Sequence, residues 1–82
     1  MTFTPRDSLE RVDRIVRAFA GYGIFLRLGE ETLTVVRGEV IPGGAEAPPG
    51  ALRMEHGVPQ YALEGGWLRL YESRTQEGGN QA

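Results

Sequence analysis

This sequence predicts an α+β domain: one N-terminal helix packed on a small antiparallel sheet of about five strands. Three features carry that expectation. Residues 4–20 hold the one apolar stripe at helical spacing, formed by Leu9, Val12, Ile15, Val16, Phe19 and Ala20. From Ile24 onward the apolar residues alternate with period two, the pattern of half-buried strands. Glycine and proline then cut that second part into pieces of strand length. The full chain has 82 residues, near the lower size limit for an independent core.

The helix has a start signal in Thr4-Pro5-Arg6-Asp7. Thr4 is the expected N-cap, Pro5 the first helical residue, and Asp7 the acid that closes a capping box. Three acid–base pairs follow at i,i+4: Asp7–Arg11, Glu10–Arg14 and Asp13–Arg17. Each puts the acid on the N-terminal side, worth about 0.2–0.5 kcal/mol per pair. Local pairing and solvation therefore explain this charged face better than phosphate binding does. Gly21-Tyr22-Gly23 is the expected stop, because glycine takes the left-handed C-cap conformation at little strain.

Residues 24–28 and 33–37 read as a hairpin across the turn Gly29-Glu30-Glu31. Ile24, Leu26 and Leu28 share one face of the first strand, with Phe25 and Arg27 on the other. Gly38 permits a bulge or bend, beyond which Glu39, Val40 and Ile41 extend the second strand. Residues 42–50 contain three prolines and three glycines and can form neither strand nor helix, so a mobile surface loop is expected. It lacks the PxxP spacing of a proline-rich ligand. Residues 51–56, 60–64 and 67–71 supply three more strands, the last two joined by the tight turn Gly65-Gly66. Residues 1–72 are thus expected to form the domain. The polar tail from Ser73 to Ala82 is expected to be disordered.

A helix of about 16 residues is roughly 24 Å long, about the width of five strands, so it covers one sheet face. The expected inner face holds Ile24, Leu26, Leu28, Leu33, Val35, Leu52, Met54, Leu68 and Leu70. The outer face then carries Phe25, Arg27, Val36, Arg53, Trp67, Arg69 and Tyr71. The alternative is a sheet curled into a small SH3-like or OB-like barrel, bending at Gly38 and at Gly57–Pro59, with the helix at one end.

Composition excludes several functions. There is no cysteine, hence no disulfide frame and no thiolate metal site. That suits a cytoplasmic setting. Residues 1–5 have neither a basic region nor an apolar run, so no signal peptide is expected. No apolar stretch approaches the roughly 20 residues of a membrane span, and no membrane partner is expected. The net charge of −2 opposes general affinity for nucleic acid or anionic lipid. All nine basic residues are arginine, a bias spread over the whole chain and most simply the mark of a GC-rich genome.

No local motif points to catalysis, a metal or a cofactor. His56 is the one histidine, and neither Glu55 nor Glu64 stands at metal-ligand spacing from it. A surface histidine at a strand end explains it. Ser8 and Ser73 have no nucleophile context, and the glycine pairs lack the lysine and following helix of a phosphate loop. What stands out is Trp67-x-Arg69-x-Tyr71, three residues on one strand face and of the types most enriched in binding hot spots. The plainer explanation is a structural ladder with Arg69 stacked between the two rings. The functional expectation is a non-catalytic protein-binding module, a regulator, inhibitor or adaptor, that uses Trp67, Arg69, Tyr71, Phe25, Arg27 and Arg53, or a strand edge. Its partner would be another protein or a second copy. The alternative is a single-strand nucleic-acid binder stacking bases on Phe25, Trp67 and Tyr71. It needs Glu39, Glu55, Glu64 and Glu72 to point away from that face.

Overall fold

The helix begins later than its start signal. In the computed structural model, which describes residues 1–18, 23–44 and 46–75, α1 spans Leu9–Ala18. Its N-cap is Ser8, not Thr4: the Ser8 hydroxyl accepts the Arg11 amide at 3.2 Å, and the Ser8 carbonyl accepts the Val12 amide at 3.0 Å. Only one half of the expected capping box joins Thr4 to Asp7, and the Thr4 hydroxyl takes the Arg6 amide in place of the Asp7 amide. The Thr4 amide donates to Asp7 Oδ2 at 2.8 Å, and the Arg6 amide to the Thr4 hydroxyl at 3.2 Å. Those contacts close a separate turn, because the chain must first step from the sheet up to the helix that lies on it.

The strand that makes this step necessary is one the periodicity cannot reveal. Thr2–Phe3 forms β1, paired in parallel with β2 (Ile24–Leu28) through Thr2↔Phe25 and Phe3↔Leu26. Two residues are too few to show alternation, yet Phe3 is among the largest fully buried side chains. Beyond them β3 covers Glu31–Pro42, β4 Leu52–Glu55, β5 Val58–Leu63 and β6 Gly66–Thr75. Among the described residues the sheet therefore has six strands rather than five, in the order β1-β2-β3-β6-β5-β4, and every pairing but the first is antiparallel.

The long central pair β3–β6 organises this order. Its register slips between Val35 and Arg37 and again between Arg37 and Gly38. A Cβ at Gly38 would come within 3.0 Å of the Arg69 carbonyl, so glycine is what lets the strands approach there. The pairing continues through Ser73, Arg74 and Thr75, opposite Val35, Thr34 and Leu33. These three residues were expected in the tail. Main-chain pairing needs no apolar side chain, so polarity alone misplaced the boundary. Residues 76–82 lie outside the described residues.

On the inner face, Phe3, Val12, Ile15, Val16, Ile24, Leu26, Val35, Leu63, Leu68 and Leu70 form the core, with Leu9, Leu28, Leu33, Val40 and Tyr61 packed around it. Phe19 and Ala20 of the expected stripe, and Gly21 and Tyr22 of the expected stop, lie outside the described residues. Gly23 is described, with a φ of 86° that suits glycine. Leu52 and Met54 depart from expectation: they are 54% and 61% exposed. Leu52 lies opposite Tyr61, and Tyr61 opposite Leu68, so Leu52 has the inner-face parity. It sits on the last strand, past the reach of a helix of 10 residues. The barrel alternative is also corrected, because β1 and β4 end the strand order as two separate edges.

Pro42 of the proline- and glycine-rich run still belongs to β3, opposite Gly66, against expectation; the other described residues of the run have no regular structure, and the run is tied at both ends. The Gly43 amide donates to the Gly65 carbonyl at 3.1 Å, and the Gly50 amide to the Ala62 carbonyl at 2.8 Å. On the solvent side of α1 the pairs Asp7–Arg11 and Asp13–Arg17 form at 3.6 and 3.0 Å. Glu10 and Arg14 do not close to ion-pair distance. No helix among the described residues is long and apolar enough to cross a membrane.

Two outcomes follow. Ile15→Asp places a charge at a position that is 3% exposed and should unfold the domain, whereas Arg14→Ala should shift stability by less than about 1 kcal/mol. Urea melts of the two variants measure the contrast. Tyr61 carries the second. Partial burial, then the nearby Glu31 carboxylate, holds its phenol above the ordinary tyrosine range. The folded state thus keeps a proton that the unfolded chain releases, so this contribution is complete below about pH 10 and is lost as pH rises further. Tyr61→Phe should remove that part of the alkaline stability loss in melts taken across pH 9 to 12.

Candidate interaction surface

The sheet face opposite α1 is covered by its own side chains. Across it, Glu39 of β3, Arg69 of β6, Gln60 of β5 and Arg53 of β4 stand in one row. Ile41, Trp67 and Ala62 make the next row. Ala62 is small, which leaves room for Arg53 to reach across β5 and lay its guanidinium 3.9 Å from the centroid of the Trp67 ring. The same guanidinium donates to Gln60 Oε1 from Nε at 3.2 Å and from Nη2 at 2.9 Å, and to Glu55 Oε1 at 3.3 Å. Gln60 Nε2 donates to Glu55 Oε1 at 3.0 Å, closing the triangle. Gln60 is fully buried beneath this cover, and its amide has partners for both its oxygen and its nitrogen.

A second cluster lies beside the first. The Tyr71 hydroxyl donates to Glu39 Oε1 at 2.6 Å and accepts from Arg69 Nη1 at 3.4 Å. Arg69 Nη1 is also 3.9 Å from Glu39 Oε1. The bond to Tyr71 above all raises the Arg69 guanidinium above its ordinary range. Arg37 of β3 lies over the Tyr71 ring at 5.3 Å.

The arginine ladder therefore differs from the one expected. Arg69 is not sandwiched between Trp67 and Tyr71. Arg53 covers the first ring and Arg37 the second. Residues two apart on one strand stand about 6.6 Å apart, whereas Arg37 reaches Tyr71 from the paired strand β3, and Arg53 reaches Trp67 from two strands away over the small Ala62. Cross-strand partners win.

Of the six expected site residues, Arg53, Trp67, Arg69 and Tyr71 come together in this patch. Phe25 and Arg27 share the face but stand on β2, at the other side of the sheet, beside Thr34 and Thr32. With Thr2 and Thr32 they line a separate open depression of about 400 Å³. Sequence reasoning missed Gln60, whose only signal was a place in the strand alternation opposite Tyr61 and Leu63. It flagged Glu39 and Glu55 as residues whose direction matters, and both lie on the outer face against arginines. His56 is exposed at the end of β4, with a φ of 55° that turns the chain toward β5. Among the described residues, no three His, Cys, Asp or Glu side chains converge in a way that could hold a metal ion. No protein-family model matches the chain, and no curated protein matches it in sequence.

Gln60 is the test of how far the cover depends on its buried centre. Gln60→Ala should lower stability by about 1–3 kcal/mol, because it strips Arg53 and Glu55 of their shared partner. It should also red-shift Trp67 emission as the guanidinium comes loose. Arg27→Ala, on the same face but outside the patch, should leave both urea midpoint and emission nearly unchanged.

Proposed function

We propose that this chain is a small non-catalytic protein-binding module, a regulator, inhibitor or adaptor, that docks a protein partner on the sheet face opposite α1. A cytoplasmic setting suits its cysteine-free sequence. One observation supports the reading above others: Trp67, Arg53, Arg69 and Tyr71 are already fixed by one another before any partner arrives. Trp, Tyr and Arg are the residues that dominate binding hot spots, and pre-ordered side chains lose less entropy on association. Trp67 is half-buried rather than sealed, so its exposed part is available for contact.

The competing reading, a single-strand nucleic-acid binder, asks for free cations on the same face. Arg53 already holds Glu55 and Arg69 lies beside Glu39, at 3.3 and 3.9 Å. A phosphate would have to displace those carboxylates. Phe25 also stands away from Trp67 and Tyr71, so the three rings do not form a continuous stacking track. Both points favour a protein partner.

Capture from the source cell with the tagged chain, followed by calorimetry on the recovered protein, tests this. Trp67→Ala should weaken that association by about 2 kcal/mol or more, roughly thirtyfold, with the fold retained by circular dichroism. Titration with an oligonucleotide should leave Trp67 fluorescence unchanged. A quench that disappears at high salt would transfer the assignment to nucleic acid.

A further inference from the structure

We infer that the outer edge of β4 is a self-pairing surface, which joins two copies of this chain into one continuous sheet. The inference does not rest on the outer-face docking site: it uses the main-chain edge of β4, and Arg53 is the one residue the two share. It begins with exposure. β4 ends the sheet, all four of its residues are exposed, and its apolar residues Leu52 and Met54 are the most exposed large hydrophobic residues among those described. Of the devices that blunt edge strands it has short length and the charged residues Arg53 and Glu55, but no proline, no lysine and no bulge in its pairing with β5.

The direction of the main-chain groups follows from the register. Antiparallel neighbours alternate between pairs that exchange hydrogen bonds and pairs that do not. The Ala62 amide donates to the Ala51 carbonyl at 2.9 Å, so that position is a bonded one. One step on, Leu52↔Tyr61 is then unbonded, Arg53↔Gln60 bonded, and Met54↔Pro59 unbonded. Proline has no amide hydrogen, so the last assignment is the only one its chemistry allows. The amide and carbonyl of Leu52 and of Met54 therefore point away from β5, toward the open edge.

Antiparallel registers centred on Leu52 or on Met54 each bring outward-pointing groups together, and the second sets unlike charges opposite one another. With the two-fold axis at Met54, each Met54 amide donates to the Met54 carbonyl of the other copy. Arg53 then lies opposite Glu55 of the second copy, and Glu55 opposite its Arg53. These are unbonded pairs, the kind in which facing side chains come closest. Within one chain Arg53 Nη2 and Glu55 Oε1 are already 3.3 Å apart. Pairing two copies sets four residues of alternating charge in a square, while each Arg53 guanidinium stays over its own Trp67, so the attraction across the axis acts at longer range than a direct ion pair. The register centred on Arg53 would instead set the two Arg53 side chains against each other. The charges thus select both the partner, a second copy, and the register. Paired this way, the two Arg53–Trp67 stacks lie on one continuous outer face. An edge of four residues is short, so the contact belongs with small, reversible interfaces.

Sedimentation equilibrium of the whole chain, from about 10 µM to about 1 mM, is the test. The wild type should move from one chain mass toward two over that range. In hydrogen exchange, the Leu52 and Met54 amides should gain protection with concentration. Met54→Lys sets two ammonium groups face to face at an already exposed position, and should keep the circular dichroism spectrum while abolishing association. Arg53→Glu and Glu55→Arg should each be monomeric alone, through like charges across the axis, and should pair when mixed. A wild type that stays at one chain mass throughout, or a Met54→Lys variant that associates as the wild type does, overturns the proposal. Association that Trp67→Ala removes and Met54→Lys does not would place the contact on the outer face instead.

Discussion

A helix of 10 residues is about 15 Å long, while six strands at about 4.8 Å spacing present a sheet about 24 Å across. One helix of that length shields the middle of one face and nothing else, so the remaining surfaces must be dealt with by the strands themselves. The inner face solves this over its centre by packing Val12, Ile15 and Val16 against Leu26, Val35, Leu63, Leu68 and Leu70. Among the described residues nothing covers the β4 margin, and Leu52 and Met54 remain exposed. On the outer face the substitute for a second helix is a layer of long polar side chains. Arg53 stretches its aliphatic stem and planar head over Gln60, Ala62 and Trp67, which lets two of these be fully buried on the side of the sheet with no helix.

That polar layer explains the company the arginines keep. A buried glutamine would be destabilising alone, since its amide has up to four hydrogen-bonding sites and no water at hand. Glu55 and Arg53 satisfy it from above, and their opposite charges pin each other in place. The arrangement is rigid because each member has two or more partners. The same bonds neutralise much of the positive charge that arginine brings to the face. A surface organised in this way offers shape, aromatic area and directed hydrogen bonds, rather than net charge.

Much of the architecture is legible in the sequence, and the exceptions have physical causes. The stripe from Leu9 to Val16 and the alternation of residues 24–28 and 67–71 announce α1, β2 and β6, because burial on one side imposes a period. Phe3 leaves no such trace: a strand of two residues has no period. Thr4 and Asp7 carry a capping signal that is real chemistry but serves a turn, since local hydrogen-bonding preference cannot report where the helix must sit above the sheet. Leu52 and Met54 alternate correctly and still face water, because alternation reports parity and not how far the helix extends. The candidate surface was visible as Trp67, Arg69 and Tyr71 along a single strand. Its actual connections run across strands, to Arg53, Gln60, Glu39 and Arg37, and depend on a register that only the folded chain supplies.

The β3–β6 pairing has a bearing on how the chain reaches this state. It joins the first half of the molecule to its last strand: Leu33 finds Thr75, and Ile41 finds Trp67. Contacts between such distant positions form late, because a long loop has to close before they contribute. The β5–β6 hairpin, held by the short turn Glu64-Gly65 rather than the expected Gly65-Gly66, can assemble without that closure, and Gly66, which opens β6, has no room for a side chain beside the Ile41 carbonyl and Leu9. During synthesis β1, β2, α1 and β3 emerge first, and β3 must wait with one edge unpaired until β6 leaves the ribosome. Until that moment the nascent chain is a half-sheet exposing a strand of 12 residues, the interval in which it is most open to misassembly with neighbouring chains.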